Sequence, residues 1–216
     1  EIKFDHVSFT YQNSGIEALK DISFTIKPKE TVGIIGRTGS GKSTIAALIA
    51  RFFDPDSGQI LIDNHNLKSI NLYQYRASIG YVSQEVFLFS DPIDQNIAFG
   101  VNEVQIKNVE EMAELAEVAD DIREFPRGYN TLLGEKGVNL SGGQKQRISI
   151  ARALMTNPKI LVFDDSLSAL DTETENRLLG KLKNLKSKAT SIFISHRVST
   201  IRNADRIFVL DQGEIV

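Results

Sequence analysis

The sequence predicts an α/β fold, with helices packed on a mostly parallel sheet. Short apolar runs alternate with helical stretches near both ends of the chain, and this alternation is typical of βαβ units. Residues 160–163 (Ile-Leu-Val-Phe) form an uninterrupted apolar run, as expected of a strand buried on both faces of a parallel sheet. The 216 residues include no cysteine, and a chain of this length buries a sizeable core without disulfides.

Strands dominate the first third of the sequence, and helices dominate its middle. Residues 42–53 have apolar side chains at helical spacing, and the turn residues of 54–58 end that pattern. Residues 93–125 are helical in pattern too, with an acidic face that indicates a solvated surface beside a core stripe. The apolar stripe of this block consists of Val104, Val109, Met112, Leu115, Ala116 and Ala119. Strands are predicted near 2–9, 22–26, 31–35, 59–62 and 79–82.

The last third returns to alternating helices and strands. Helices are predicted over 144–155 and 172–185, with a short helix after Val198. Strands are predicted over 160–163, 191–194, 206–210 and 214–216. The middle block is therefore interpreted as a helical insertion between two halves of an α/β core.

Composition excludes some classes of protein. The formal net charge is −3 and the isoelectric point is near 5.7, so no overall positive field attracts nucleic acid, and no nucleic-acid partner is expected. No uncharged apolar run approaches the roughly 20 residues that a membrane-spanning helix needs. If the protein acts at a membrane, we expect its spanning part to lie outside these residues.

Residues 36–44 fit the pattern G-x-x-x-x-G-K-[ST] between a predicted strand and a predicted helix. Glycines let the backbone curl so that N–H groups face phosphate oxygens, and the helix N-terminus adds partial positive charge. Lys42 adds a full charge near the β- and γ-phosphates, and Ser43 offers its hydroxyl to Mg²⁺. The alternative is a glycine-rich turn that binds nothing. The predicted ATP-binding residues of this loop are Gly36, Thr38, Gly39, Ser40, Gly41, Lys42, Ser43 and Thr44.

Two carboxylates follow the apolar run 160–163. Asp164 and Asp165 come at the C-terminal end of a predicted parallel strand, where ligand sites of open α/β sheets lie. Adjacent acids at such a position are costly unless a cation is near, so Asp164 is predicted to belong to a magnesium site with Ser43. The alternative is an acidic cap of the following helix.

A second phosphate-binding element precedes this strand. Leu140-Ser141-Gly142-Gly143-Gln144 opens a predicted helix, where free N–H groups and the helix dipole favour an anion. Two such elements in one chain make sense if one of them serves a neighbour's nucleotide. The motif resembles the signature motif of ABC ATPases, in which two domains stack head to tail with ATP between them. The resemblance implies that Ser141, Gly142, Gly143 and Gln144 contact nucleotide.

The other motifs of that family occur in order along the chain. The resemblance implies that Tyr11 stacks on adenine and that Gln84 touches Mg²⁺ and senses a transmembrane partner. It also implies that Asp171 lies in a loop crossing the dimer interface and that His196 lies beside the γ-phosphate. Taken singly, such a Tyr or His is usually an ordinary core or surface residue.

The fold implied by the resemblance is a P-loop NTPase parallel-sheet core with an N-terminal antiparallel β subdomain and an inserted α-helical subdomain. Residues 1–216 would form one domain. Residues 1–92 and 156–216 would be the ATP-binding core with the β subdomain, and 93–155 the helical subdomain carrying the signature motif.

Two further segments resemble those of exporters. These are residues 134–137, before the signature motif, and residues 94–100, after Gln84. The resemblance implies partners of two kinds, a second ATPase domain and a transmembrane domain of the same polypeptide. It places the chain at the cytoplasmic face of a membrane, the cell inner membrane in a bacterium.

Asp165 departs from the family pattern, which has Glu at this position. Asp165, Gln84 and His196 are the predicted catalytic residues, and a carboxylate should orient the attacking water. Because Asp is one methylene shorter, we expect this site to bind ATP well and hydrolyse it slowly, as in heterodimeric exporters with one degenerate site. The alternative is a homodimer in which Asp165 still works after a small backbone shift.

Three other functions compete with an exporter ATPase. They are an importer ATPase made as a separate subunit, a non-transport ABC ATPase acting on DNA or the ribosome, and a nucleotide-binding regulator. Non-transport ABC ATPases carry long coiled-coil insertions or tandem cassettes, and neither is present in these residues.

Overall fold

A computed structural model describes residues 1–134, 140–185 and 189–216, in which ten strands form two sheets. The smaller sheet has the strand order β2-β1-β4-β5, and each neighbouring pair is antiparallel. A bulge near His6, whose φ of 52° is left-handed, keeps Phe4 and Val7 on the buried face. These strands are β1 (Ile2–Tyr11), β2 (Ile16–Ile26), β4 (Ser57–Ile62) and β5 (His65–Asn66).

The larger sheet has the strand order β10-β9-β3-β8-β7-β6. Five of its strands run parallel, and only β10 pairs antiparallel, with β9. Its strands are β3 (Thr31–Gly36), β6 (Ile79–Val82), β7 (Ile160–Asp164), β8 (Thr190–Ile194), β9 (Arg206–Asp211) and β10 (Glu214–Ile215).

Strand β7 is buried on both faces, as predicted from its apolar run. Ile160 and Val162 belong to a core shared with β1, β2, β4 and the first helix. Leu161 and Phe163 belong to a second core on the opposite face, shared with the helices of the middle block. The sheet therefore separates two apolar layers, which explains why the sequence shows no alternation here.

Eight α-helices and two short 3-10 helices complete the described part of the chain. None of these described helices is both long and apolar enough to cross a membrane. The 3-10 helices are Leu67–Ser69 and Gly128–Asn130. The α-helices are α1 (Lys42–Ile49), α2 (Leu72–Arg76), α3 (Ile93–Ile97), α4 (Ile106–Leu115), α5 (Ala119–Glu124), α6 (Gly142–Met155), α7 (Thr172–Leu185) and α8 (Val198–Ile201).

The helix predicted over 42–53 ends earlier, at Ile49. Arg51 adopts a left-handed φ of 53°, and the Phe52 N–H donates to the Ala47 carbonyl at 2.8 Å, so the chain turns away from the helix axis. Phe52 lies within the predicted helix 42–53, where apolar side chains at helical spacing were expected to share one face, but it is exposed and its ring lies against the Tyr81 ring.

The helical pattern over 93–125 corresponds to three separate helices, α3, α4 and α5. A left-handed φ of 59° at Glu117 separates α4 from α5. Of the predicted stripe, Val109, Ala116 and Ala119 are fully buried, whereas Val104 precedes α4 and is exposed. Periodicity alone could not place these breaks, because apolar residues continue across them.

An antiparallel sheet, a mostly parallel sheet and a helical block together confirm the predicted fold class. In the helical block, α3, α4, α5 and α6 share one apolar core with the nearer face of the larger sheet. The exact division at residues 92 and 155 stays a prediction.

Candidate functional site

The glycine-rich loop connects β3 to α1, and its shape requires glycine at several positions. Gly39 and Gly41 have φ values of 81° and 103°, in the left-handed region. A Cβ atom on Gly41 would lie 2.3 Å from the Ala18 carbonyl oxygen, and one on Gly36 would lie 2.1 Å from that of Leu210. The loop thus packs closely against β2 of the smaller sheet and β9 of the larger sheet, and these contacts fix its position relative to both.

Lys42 is the first residue of α1 and is almost completely buried. Its Nζ donates to the carbonyl oxygens of Gly36 at 2.9 Å and Arg37 at 2.8 Å, so the ammonium group lies inside the curl of the loop. Burial lowers the pKa of this amine, although the negative charges of Asp165 and Asp164 act in the opposite direction. An anion held by the loop would compensate this buried charge.

The loop also fits phosphate by its unsatisfied groups. The Ser40 hydroxyl is buried and lacks a hydrogen-bond partner among the described residues. At the N-terminus of α1, the N–H groups of Lys42 and Ser43 precede the first helical hydrogen bonds, which Thr44 and Ile45 donate to the Gly41 carbonyl, and both Lys42 and Ser43 line a cleft. Phosphate oxygens would satisfy both kinds of donor.

Asp164 ends β7 beside the loop, where the Ser43 hydroxyl donates to its Oδ1 at 2.8 Å. The Tyr81 hydroxyl donates to Oδ2 at 3.1 Å, and burial together with the neighbouring carboxylate raises the pKa of that tyrosine. Among the described residues, no group of three or more His, Cys, Asp or Glu could hold a metal. One carboxylate and one hydroxyl nevertheless suit Mg²⁺, which usually keeps waters and phosphate oxygens in its shell.

Asp165 follows with a left-handed φ of 46°, and its N–H donates to the Ile194 carbonyl at 2.9 Å. Gln84 Nε2 donates to Asp165 Oδ2 at 3.4 Å, a long contact. A positive φ is unusual for a residue with a side chain, and strained conformations cluster at functional sites.

A cleft of about 570 Å³ brings most of the predicted site together. Thr38, Gly39, Gly41, Lys42, Ser43 and Thr44 line it from the loop, with Tyr11, Gln84, Asp165 and His196 around them. Gly36, Ser40 and Asp164 do not line the cleft but contact residues that do. Ile16, Ala18 and Ile194 also line it and were missed, because single apolar residues in strands carry no binding signal in the sequence.

Tyr11 lines the cleft from the end of β1. Its hydroxyl lies 3.2 Å from Thr44 Oγ1, and its ring makes edge contacts with Phe9 and Phe53 at centroid distances of 5.0 and 5.6 Å. Phe53 was not predicted to belong to the site. Stacking of Tyr11 on adenine remains a prediction.

The signature residues do not line the cleft. Ser141 caps α6 through a capping box, in which its Oγ accepts from Gln144 N at 3.1 Å and its N–H donates to Gln144 Oε1 at 2.9 Å. Gln144 Nε2 donates to Asp121 Oδ1 at 2.9 Å. The Gln144 side chain is therefore used to hold the helix end, whereas Ser141 and Gly142 are exposed.

Arg147 also binds Asp121, and together Asp121, Gln144 and Arg147 form a hydrogen-bonded brace for the N-terminus of α6. Arg147 Nη1 donates to Asp121 Oδ2 at 2.7 Å, and its Nε donates to the Gly143 carbonyl at 3.3 Å. Burial would raise the pKa of Asp121, but the hydrogen bonds from Gln144 and Arg147 outweigh it and hold the pKa below its usual value. Asp121 and Arg147 were not predicted, since nothing in the sequence links residue 121 to residue 144.

Asp171 caps α7, and its Oδ1 accepts from the Thr174 N–H at 2.9 Å. That backbone hydrogen bond lowers the pKa of Asp171. Like the signature residues, Asp171 is exposed and does not line the cleft. Of the exporter-like segments, 94–100 includes α3 from its second residue onward, whereas residues 135–137 lie outside the described residues.

Comparison with known proteins identifies the family. The profile of a family described as ABC transporter matches residues 19–168. The chain belongs to the ABC transporter family. Its similarity to an ABC transporter ATP-binding protein, YfiB, of Bacillus subtilis is 48% identity over 215 residues, covering 100% of the chain and 37% of that protein. The ATP-dependent lipid A-core flippase of Idiomarina loihiensis is 46% identical over 217 residues, with the same coverages.

Among solved structures, the fold is similar to that of a bacterial Atm1-family ABC exporter with ATP bound. The TM-score is 0.95 at 44% sequence identity, over 100% of this chain and 37% of the exporter chain. The chain therefore spans little more than a third of the length of these three proteins.

Proposed function

We propose that this ABC transporter domain binds and hydrolyses ATP to drive export across a membrane. The observation that carries the proposal is the convergence of the buried Lys42, the Ser43–Asp164 pair and the Asp165, Gln84 and His196 side chains at one cleft. The exporter assignment rests on the relatives, one of which is a lipid A-core flippase and another an Atm1-family exporter.

The residues of the cleft have separate tasks in this proposal. Lys42 and the loop N–H groups hold the triphosphate, while Ser43, Asp164 and Gln84 would hold Mg²⁺, which would supply positive charge beside the phosphoryl group. Asp165 orients the attacking water, and His196 contacts the γ-phosphate. Tyr11 supports the adenine ring, and Gln84 in addition reports on a transmembrane partner.

We further propose that this chain's own site turns over slowly. Asp165 carries the negative charge on a side chain one methylene shorter than the family's Glu, and a misplacement of about 1 Å costs on the order of 10²-fold in rate. Among the described residues, the Asp165 carboxylate has only the long contact with Gln84 at 3.4 Å, so no short hydrogen bond fixes its position for fast hydrolysis. A homodimer in which a small backbone shift restores Asp165 is the competing arrangement.

A second ATPase domain, identical or homologous, would complete the active assembly. Ser141, Gly142 and Gly143 form a braced helix N-terminus that does not line the chain's own cleft, so we propose that they meet the partner's γ-phosphate. Asp171 would lie at the same interface, and Gln144 would act by holding Ser141. The open and closed dimers would differ in their affinity for ATP and its products, and this difference would drive transport.

The chain covers only 37% of the flippase and of the Atm1-family exporter, so nearly two thirds of each relative lies outside the matched domain. This supports a transmembrane domain on the same polypeptide. We propose that the chain lies at the cytoplasmic face of a membrane, the inner membrane in a bacterium. Residues 1–92 and 156–216 would form its ATP-binding core and 93–155 its helical subdomain, since α3 to α6 pack together in one apolar core.

Equilibrium binding of ATP to the purified chain, followed by phosphate release, tests this function. Lys42→Met should weaken ATP binding on the order of 10²-fold, because it removes a charged donor from the phosphate loop. Lys27→Met, which changes an exposed lysine far from the loop, is the matched control. Unchanged ATP affinity in Lys42→Met would contradict the proposal.

A further inference from the structure

A buried carboxylate, Glu175, lies in the first turn of α7 and does not line the cleft. Glu175 is only 2% exposed, and it accepts hydrogen bonds from Thr200 Oγ1 and, at 3.2 Å, from Arg197 Nη1. A carboxylate at this depth is strongly unfavourable without a cationic partner. Arg197 is that partner, and it directly follows His196 in the chain.

The Arg197 guanidinium also binds a different segment. Nη2 donates to the Ser168 carbonyl at 2.7 Å, and Nη1 donates to the Leu170 carbonyl at 3.0 Å. The Arg197 N–H donates to Ser195 Oγ at 2.9 Å, which fixes the start of the side chain. One guanidinium thus ties the loop carrying His196 to residues 168–171.

Residues 168–171 lie between the two phosphate-binding elements. On one side, the Ser168 hydroxyl donates to the Asp165 carbonyl at 2.9 Å, next to the cleft. On the other side, a Cβ atom built on Gly143 would lie 3.4 Å from the Ala169 carbonyl oxygen, at the start of α6. A displacement of residues 168–171 would therefore change their contacts with both elements.

We propose that Arg197 is a positioning residue that couples the γ-phosphate state of the cleft to residues 168–171, with Glu175 as its anchor. This inference rests on the proposed function, since it requires His196 to respond to the γ-phosphate. A shift of the His196 loop moves Arg197, and the rigid fork of the guanidinium carries the two carbonyl groups with it.

Hydrogen exchange in the purified chain tests the coupling, with a non-hydrolysable ATP analogue compared with ADP. In the wild type, the analogue should slow exchange in residues 168–171 on the order of fivefold more than ADP does. Arg197→Met should abolish that difference while residues 39–44 stay protected by either nucleotide. Thr200→Val is the control, because it removes the hydroxyl that bonds Glu175 and Ser195 but leaves every direct contact of Arg197.

Arg197→Met leaves Glu175 buried without its cation, so it could unfold the region. The double variant Glu175→Gln/Arg197→Met removes that charge, and it should restore the melting temperature without restoring the exchange difference. Recovery of the difference in the double variant would show a merely structural role and overturn the inference. Equal exchange at residues 168–171 with the ATP analogue and with ADP in the wild type would also overturn the inference. If neither nucleotide slowed exchange at residues 39–44, the proposed function itself would be overturned.

Discussion

The two proposed phosphate-binding elements of this chain, the loop before α1 and the N-terminus of α6, differ in how completely each is built. The loop before α1 has its own cation in Lys42 and its own carboxylate in Asp164, both buried and hydrogen-bonded within the site. The N-terminus of α6 has a capping box and a brace from Asp121, and its exposed residues Ser141 and Gly142 do not line the cleft.

This difference indicates separate tasks for the two elements: the first would bind nucleotide, and the second would complete a nucleotide site on a partner. The first element has the charge and geometry to hold a nucleotide within one chain. The second is held by hydrogen bonds to Asp121 and Gln144 but offers only a capped helix N-terminus, which favours an anion through backbone N–H groups. An exposed N-terminus held in this way suits a phosphate that is already bound by another molecule. Changes in the first element should therefore alter nucleotide affinity, and changes in the second should alter turnover alone.

The largest effect is expected at Asp164. Asp164→Asn keeps an acceptor for Ser43 but removes the charge that would hold Mg²⁺. ATP affinity in magnesium should fall on the order of 10²-fold and should become insensitive to EDTA. Titration with a fluorescent ATP analogue measures both quantities. Asp171→Asn, at the exposed cap of α7, should leave affinity unchanged, and an equal loss in both variants would erase the distinction between the two regions.

Asp165→Glu should raise turnover at the chain's own site by about 10- to 100-fold, because the longer side chain brings the carboxylate closer to the attacking water. ATP affinity should stay within about twofold, since Asp165 is not a predicted magnesium ligand. Phosphate release in the assembled transporter is the measurement, with Asp211→Glu as an exposed control. No gain from Asp165→Glu would disprove the slow-site proposal.

Local chemistry in the sequence was enough to predict the loop of 36–44, because its glycines, Lys42 and Ser43 lie close together in one short segment and need no long-range packing to meet. The strand β7 and its terminal acids were predictable for the same reason. The contacts of Tyr81 with Asp164, of Asp121 with Gln144 and of Arg197 with Glu175 join residues far apart in sequence. No periodicity or motif encodes such pairings, and they depend on how the elements pack.

Asp121→Ala should lower turnover on the order of tenfold without changing ATP affinity. It removes the acceptor shared by Gln144 and Arg147, so the N-terminus of α6 loses its brace. Steady-state hydrolysis by the assembled transporter separates kcat from KM. Asp120→Ala removes the neighbouring carboxylate, whose side chain is 92% exposed, and should behave as wild type. A change in KM rather than kcat would place Asp121 in nucleotide binding and contradict the division.

The smallest effect concerns stability against acid. The pKa of Asp121 is depressed in the folded chain, so its ionised form stabilises the fold above the pKa of the unfolded state, near 4, and this contribution is lost as pH falls through the folded pKa. Asp121→Asn should therefore unfold more easily than wild type by about 1 kcal/mol at pH 7. Urea unfolding at pH 7 and at pH 3 should show that gap narrowing with acid. A gap that is constant with pH would mean that the Asp121 charge does not brace α6.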